Sequence, residues 1–475
     1  MIVDLKPYSA MKDSGVEWLG DVPEHWKVLK IKHWLHTNLA VLPETTSSDY
    51  KFNYLDIGAV GTGRLTTSPV RIRFSSAPSR ARRIVRTGDT ILSTVRTYLK
   101  AVWHVAEPVE DLVASTGFAV LSPKPGTSPK FVSYVVQSEV FTSRVTAEST
   151  GIAYPAIAET KLGNLEISVP PLPEQAAIVR FLDHMDKRVQ RCIRAKKKLI
   201  ELLEEQKKAI IHQAVTRGLN PDATMKDSGV EWLGDVPEHW EVLKIKHWLN
   251  TNLAVLPETT SPDYKFNYLD IGAVGTGQLT ASPVQISFSS APSRARRVVR
   301  IGDTILSTVR TYLKAVWHVE ETVENLVAST GFAVFSPRPG TSPKFVSYVV
   351  QSEVFTNRVT AESTGIAYPA IGETKLGILE VCVPPLSEQA AIVQHLDLST
   401  ANISTAMDRA RREIKLLGEY RTRLIADVVT GKLDVREAAA KLPDESDDAE
   451  MVEELHVMDG DESAGYFVPE EIVKT

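Results

Sequence analysis

Residues 11–26 return word for word as residues 225–240, and the correspondence runs on to Leu182 and Leu396 with 22 differences over 172 aligned positions. Repeats that stack into solenoids are short and drift quickly, whereas a unit of this length can bury a core of its own. The chain must therefore fold as two copies of one domain plus whatever joins them.

The joining segment is a charged run with no Gly or Pro between Pro173 and Gly218. Apolar residues fall at Ile178, Leu182, Met185, Val189, Cys192, Leu199, Leu203 and Ile210, in steps of four and three, with Lys196 and Gln206 completing the seam of a coiled coil. At 1.5 Å per residue such a helix runs for roughly 65 Å and needs a partner. A second, less regular seam follows the second copy: Ile392, Leu396, Ile403, Met407, Ala410, Ile414, Leu417, Leu424 and Val428, with Gly418 interrupting. Prolines stop each domain at Pro170-Pro171 and Pro384-Pro385, Glu174 sits in a favourable first turn, Ser387 can cap, and Gly218 and Gly431 end the helices.

Within a copy, strand-like runs alternate with turn residues. Residues 50–57, 70–74 and 88–95 read as strands, 129–145 as one short amphipathic helix, and 150–157 as a turn back to strand. The expected fold is α+β: two similar globular domains joined by two long antiparallel coiled-coil helices, a dumbbell with pseudo-two-fold symmetry. Its expected parts are domain one at 11–172, a spacer helix at 173–218, domain two at 225–386, a second spacer helix at 387–432 and an acidic, disordered tail at 440–475.

With 43% hydrophobic and 24% charged residues, the chain reads as an ordinary cored, soluble protein. No apolar leader or membrane-length run is present, which predicts a cytoplasmic location. Cys192 and Cys382 stand in unmatched positions and offer neither a disulfide framework nor a metal cluster. The net charge of -5 conceals an asymmetry: residues 440–475 hold twelve Asp and Glu against Lys441 and Lys474, which leaves the rest of the chain at +5.

The most basic segment comprises Arg64, Arg71, Arg73, Arg80, Arg82, Arg83, Arg86, Arg96 and Lys100, interleaved with Phe74, Tyr98 and Trp103. Arginine bridges phosphates and reads guanine edges with two parallel bonds. One such run by itself reads first as a solvated face paired with carboxylates, but it recurs as Arg294, Arg296, Arg297, Arg300, Arg310 and Lys314, which shifts the reading towards DNA. Gln278 and Gln285 stand where the first copy has Arg64 and Arg71.

Enzyme signatures fail one by one. The stretch 169–172 lacks the polar first residue and closing aromatic of an amino-methyltransferase loop, and Gly61-Thr-Gly63 has no Lys-Ser/Thr behind it. His25, His33, His239 and His247 have no companions at metal-ligand spacing, so they read as ordinary histidines.

Residues 12–26, Gly88-Asp-Thr-Ile-Leu-Ser93, Ser115-Thr-Gly-Phe118, and Pro170-Pro-Leu-Pro-Glu-Gln-Ala-Ala-Ile178 leading into a long helix together resemble the specificity subunits of type I restriction-modification enzymes. The resemblance implies two target-recognition domains, each reading half of a bipartite DNA site. It also implies a non-catalytic chain that binds no cofactor. The expected partners are double-stranded DNA, methyltransferase subunits using S-adenosylmethionine, and restriction subunits using ATP and Mg. This chain departs from the family in the near-identity of its two domains. Outward residues Arg188, Arg191, Lys198 and Glu205 are the expected docking row for the methyltransferase subunits. Two other classes stay open on residues alone: a self-contained nuclease or methyltransferase, and a coiled-coil adaptor without a DNA role.

Overall fold

The computed structural model describes residues 5–443, so the acidic tail beyond residue 443 lies outside the described residues. The chain divides into two units, one of residues up to 194 together with 414 onward, the other of residues 195–413.

In the first unit the strands are β1 (Met11–Asp13), β2 (Asp21–Pro23), β3 (Lys27–Lys30), β4 (Leu35–Thr37), β5 (Lys51–Leu55), β6 (Val70–Arg73), β7 (Ala81–Ile84), β8 (Thr90–Ser93), β9 (Val102–His104), β10 (Leu112–Ser115), β11 (Phe118–Pro123) and β12 (Glu166–Val169). The helices are α1 (Ile31–Trp34), α2 (Pro129–Gln137), α3 (Glu139–Ala147), α4 (Glu159–Asn164) and the long α5 (Leu172–Arg217), whose first half belongs here. Two four-stranded sheets carry the domain. Sheet one has the order β4-β11-β8-β9 and is antiparallel; sheet two has the order β6-β5-β10-β7, with β10 parallel to β5.

The period-two alternation of side chains builds the layers. Leu55, Leu112 and Ala114 of sheet two meet Ile91, Phe118 and Val120 of sheet one in a shared core. On the far side of sheet two, Phe52, Tyr54 and Val113 pack with Leu42 and the half-buried Ile72 and Phe74. Behind sheet one, Leu92, Ala119 and Leu121 meet Phe131 and Val135 of α2 and Ile178 and Leu182 of α5. Strands buried on both faces read as continuous apolar runs, which is why Leu112–Ser115 and the start of Phe118–Pro123 show no alternation.

Three local expectations change. The helix expected over 129–145 is two helices, because Ser138 leaves helical geometry (φ -61°, ψ 144°) and caps α3 by accepting a bond from the Phe141 amide. Strand β6 is an edge strand with Val70 62% exposed, so only Ile72 faces a core. The helix seam also slides: Ile178, Leu182, Met185 and Val189 are buried as expected, but Cys192, Leu199 and Gln206 are exposed while Ile193, Lys196, Ile200, Leu203 and Lys207 turn inward. A straight helix of 3.6 residues per turn drifts off a strict heptad, and one extra four-residue step absorbs the drift.

The second unit repeats the sheet orders 214 positions later, with α6 (Ile245–Trp248), α7 (Pro343–Gln351), α8 (Glu353–Glu362) and α9 (Glu373–Ile378), followed by α10 (Leu386–Val429). Here the second half of α5 runs antiparallel to the first half of α10. Lys196 pairs with Glu413, Glu204 with Arg411 at 3.1 Å, and Lys207 donates to Ser404 Oγ at 3.0 Å, one number rising as the other falls. In the first unit the end of α10 returns to α5: Arg421 pairs with Asp186, and Leu424, Ile425 and Val428 join Leu182 and Met185 in one core. A short helix, α11 (Arg436–Ala440), follows. Cys382 is buried and its thiol, pushed up to about 12 by desolvation, donates to the Val215 carbonyl at 3.2 Å.

The start of each long helix is gripped by its own domain. Glu174 is buried, with Oε1 accepting from Tyr8 Oη at 2.5 Å and Trp26 Nε1 at 3.0 Å, and Oε2 meeting His25 Nε2 at 2.7 Å. In the second unit Glu388 Oε2 meets Trp240 Nε1 at 3.1 Å and His239 Nε2 at 2.8 Å. His25 and His239 are thus helix anchors instead of ordinary histidines. Helix α10 begins at Leu386, so Ser387 lies inside its first turn and does not cap it.

Burial lowers the pKa of His104 and of His318, each beside a threonine hydroxyl, Thr90 at 3.1 Å and Thr304 at 3.0 Å. Because the folded pKa lies below the ordinary value of 6.5, the unfolded chain takes up these protons first, and stability is lost as pH falls through 6.5 towards the folded pKa. Asp89 and Asp303, raised by burial, act in the opposite sense below that range. Thermal unfolding between pH 7.5 and 5.5 is expected to show a falling midpoint for the wild type, and a flatter profile for the His104→Gln, His318→Gln double variant.

Candidate nucleic-acid interface

Strand register divides the basic run between the two ends of sheet two. The pairings Tyr54↔Val70, Leu55↔Ala114 and Ala81↔Ser115 gather the loops holding Arg64 and Arg80 at one end. The Thr116 amide donates to the Arg80 carbonyl at 2.7 Å, and the Gly117 carbonyl takes the Thr94 amide at 2.8 Å, which brings the segment of Arg96 to the same end. The Gly61–Arg64 turn closes at 2.9 Å, and Thr62 Oγ1 donates to the Lys100 carbonyl at 3.0 Å. Arg64, Arg80, Arg96 and Lys100 therefore share one end of the domain, and Gln278, Arg294, Arg310 and Lys314 share its counterpart.

Arg96 and Lys100 both adopt the left-handed conformation, each at φ 49°, and bracket the single turn of residues 97–99; Arg310 and Lys314 repeat this at 49° and 48°. For a residue with a Cβ that conformation costs roughly 1–2 kcal/mol, and backbone strain of this kind gathers at functional sites. The Arg96 guanidinium lies 4.8 Å over the Tyr154 ring, and Arg310 lies 4.9 Å over Tyr368. Arg80 contacts Asp56 at 3.4 Å with both side chains exposed, and the partly exposed Lys100 contacts Glu139 at 3.3 Å.

Arg71, Arg73 and Arg86 lie at the opposite end. Arg73 pairs with Lys51 and Arg71 with Asn53, beside the Glu110 carboxylate at 3.5 Å from Arg71, while the Arg86 amide donates to Asp89 at 2.8 Å. Their counterparts are Gln285, Ser287 and Arg300. Arg82 covers the Phe74 ring at 4.8 Å and Arg296 covers Phe288 at 4.7 Å. Arg83 and Arg297 differ from expectation: only 17% and 19% exposed, they pair with Glu159 and Glu373 and tie β7 and its copy to the following short helices. A guanidinium held there positions a helix and does not face a phosphate.

The sequence reading took residues 150–157 as a turn back to strand and gave them no place among the candidate DNA-binding residues. Thr150 and Ala156 exchange two backbone bonds at 2.9 Å, the Ile157 amide donates to the Thr94 carbonyl at 2.9 Å, and the resulting hairpin exposes Ile152 and Tyr154, with Tyr154 under the Arg96 guanidinium. A large apolar pair set between Gly151 and Pro155 was the available signal.

On α5, Arg188 and Glu205 are exposed and Arg191 is partly covered, while Lys198 is 67% exposed and 3.3 Å from Glu201. Among the described residues no group of three or more His, Cys, Asp and Glu could hold a metal ion, and no helix is long and apolar enough to cross a membrane.

Residues 81–204 match the model of the type I restriction modification DNA specificity domain, a span that opens on β7 and holds Arg82 to Lys100. The MjaVIII specificity subunit of Methanocaldococcus jannaschii is 23% identical over 304 residues, 61% of this chain and 67% of that protein; the MjaX specificity subunit is 25% identical over 59% of this chain and 62% of its own length. The EcoKI specificity subunit of Escherichia coli K12 is 25% identical over 19% of each chain. Among solved structures, a chain of the type I R-M system studied for its complex assembly superposes with a TM-score of 0.67 at 23% identity, covering 87% of this chain and 99% of that one. The HsdS subunit of Thermoanaerobacter tengcongensis superposes with a TM-score of 0.50 at 22% identity, covering 87% and 98%. These structures show the shared fold. A mixed α+β domain, duplicated and carried on long helices, is the class so defined. Within it, residues 81–204 are similar to the DNA specificity domain, and the matched relatives are specificity subunits of type I restriction enzymes, the family the sequence resembles.

Proposed function

We propose that this chain is the sequence-reading subunit of a type I restriction-modification complex. Each domain reads one half of a bipartite site in double-stranded DNA, and the long helices dock methyltransferase and restriction subunits. The observation that carries the reading is the cationic end of each domain, with strained Arg96 and Lys100 repeated as Arg310 and Lys314 inside a chain whose residues 81–204 match a DNA specificity domain. S-adenosylmethionine, ATP and Mg belong, on this reading, to the partner subunits, and the complex works in the cytoplasm.

Two nearly identical readers favour a target that is an interrupted inverted repeat, since a reader and its copy recognise the same bases on opposite strands. Over the aligned copies the charge falls by six in the second, with Arg64, Arg71 and Arg73 replaced by Gln278, Gln285 and Ser287, so the second domain is expected to hold phosphate less tightly. Mapping methylated adenines genome-wide tests the reading. An interrupted, near-palindromic motif that disappears on deletion of this chain is the expected result, and two unrelated half-sites would refute the symmetry. Charge reversal at Arg188, Arg191, Lys198 and Glu205 should release the methyltransferase subunits while both domains stay folded; unchanged co-purification would remove that row from the docking surface.

A further inference from the structure

Pro443 is followed by the most acidic stretch of the chain. Residues 444–462 hold ten Asp and Glu and no Lys or Arg, with Met451, Val452, Leu455, Val457 and Met458 set among them. Their point of departure is fixed. The Asp434 amide donates to the Lys6 carbonyl at 2.8 Å, the Arg436 guanidinium lies 5.1 Å over the Tyr8 ring, and Arg180 Nη2 donates to the Leu442 and Pro443 carbonyls at 2.7 and 3.2 Å. The acidic segment therefore leaves the first unit from the flank of α5. That unit holds the more basic reader, since the first copy carries six more positive charges than the second over the aligned residues.

From there the cationic end of the first domain is close. Helices α2 and α5 lie side by side, with Ser128 bonded to Gln175 at 2.9 Å and Tyr134 to Asp183 at 2.5 Å, and Glu139, just past the end of α2, contacts Lys100 at 3.3 Å. Arg180 is thus level with the middle of α2, roughly 10–15 Å from that end along the axis. The acidic segment, fully extended, reaches about 60 Å. The 96–100 turn also exposes Tyr98 and Leu99, and Tyr154 under Arg96 is exposed as well. Cations set among apolar side chains are what the acidic and apolar residues of 444–462 complement.

We propose that residues 444–462 occupy the cationic end of the first domain and compete there with DNA, an inference that rests on the DNA-reading function above. Tethering supplies an effective concentration on the order of 1 mM, so a segment whose own dissociation constant is only about 0.1 mM weakens DNA binding about tenfold. Non-specific duplex, held by phosphate contacts with dissociation constants of roughly 10⁻⁴–10⁻⁶ M, is then largely shed from the first domain. A matched site adds base contacts and stays bound.

The test compares the full chain with a full-length variant in which the ten carboxylates of 444–462 are changed to their amides, Asp→Asn and Glu→Gln. A carbodiimide couples carboxylates to lysine amines in contact with them, and mass spectrometry maps the joined residues. In the full chain, 444–462 is expected to couple to Lys100, and mixed-sequence duplex is expected to suppress that product. By fluorescence anisotropy at physiological salt, the amide variant is expected to bind the same duplex about tenfold more tightly, with an unchanged unfolding midpoint. Coupling to Lys314 in place of Lys100 would overturn the assignment to the first domain. Coupling only to lysines elsewhere, a Lys100 product that duplex leaves intact, or equal affinities of the two proteins would overturn the competition and leave the DNA-reading function standing. Two proteins that bind no duplex at all would overturn both readings.

Discussion

Replacing Trp26 with alanine is expected to destabilise the first unit by about 3 to 5 kcal/mol, the range for deleting a large buried aromatic. The indole is fully buried, donates to Glu174, packs edge-on to Tyr8 and supports Gly431 at the end of α10, where an added Cβ would lie 3.1 Å from the ring. Alanine leaves a cavity and also removes one donor from a buried carboxylate. Trp26→Phe keeps most of the volume and loses only the N–H, so its cost should be nearer 1 to 3 kcal/mol. Trp240→Ala should cost the second unit less than Trp26→Ala costs the first, because Glu388 is 26% exposed where Glu174 is 6%. Urea denaturation of the three variants checks the order; equal, small losses would mean that the carboxylate anchors carry little of the stability.

Changing Arg80, Arg96, Arg294 and Arg310 together to glutamine is expected to lower DNA affinity on the order of 100- to 1,000-fold at physiological salt. The slope of affinity against salt should shrink by about 0.9 for each phosphate contact removed. These four stand at the two cationic ends, and their segments are fixed by backbone bonds to Thr116 and Thr94 and their counterparts. Arg71→Gln with Arg73→Ser, which makes the first copy resemble the second, should change the slope far less, because both residues lie at the opposite end of the sheet. Fluorescence anisotropy across a salt series measures both. An unchanged slope in the fourfold variant would move the interface elsewhere.

What the sequence disclosed and what it withheld follow from range. The duplication, the long helices and the family resemblance are carried by spacing along the chain and were legible as such. Ser138 hid a helix break because a serine in an apolar stretch reads as helix until its hydroxyl is seen capping Phe141. The nine cations of the first copy read as one surface because they are close in sequence, yet strand register sends Arg64, Arg80, Arg96 and Lys100 to one end and Arg71, Arg73 and Arg86 to the other, and Arg83 is half-buried in a pair with Glu159. Cys192 and Leu199 fell on the expected seam, but a one-residue drift in a helix half-buried along its middle turned them outward.

The edge position of β6 bears on how the protein behaves in concentrated solution. An edge strand offers unpaired backbone groups to any neighbouring chain, and charged side chains along it are a common guard against sheet-to-sheet aggregation. In the first copy Arg71 and Arg73 provide that guard beside the exposed Val70. The second copy presents Val284-Gln-Ile-Ser287 at the same edge, uncharged and with Val284 62% exposed. Aggregation on concentration is therefore expected to start at the second domain's edge, and Gln285→Arg with Ser287→Arg is expected to raise the concentration at which light scattering first increases.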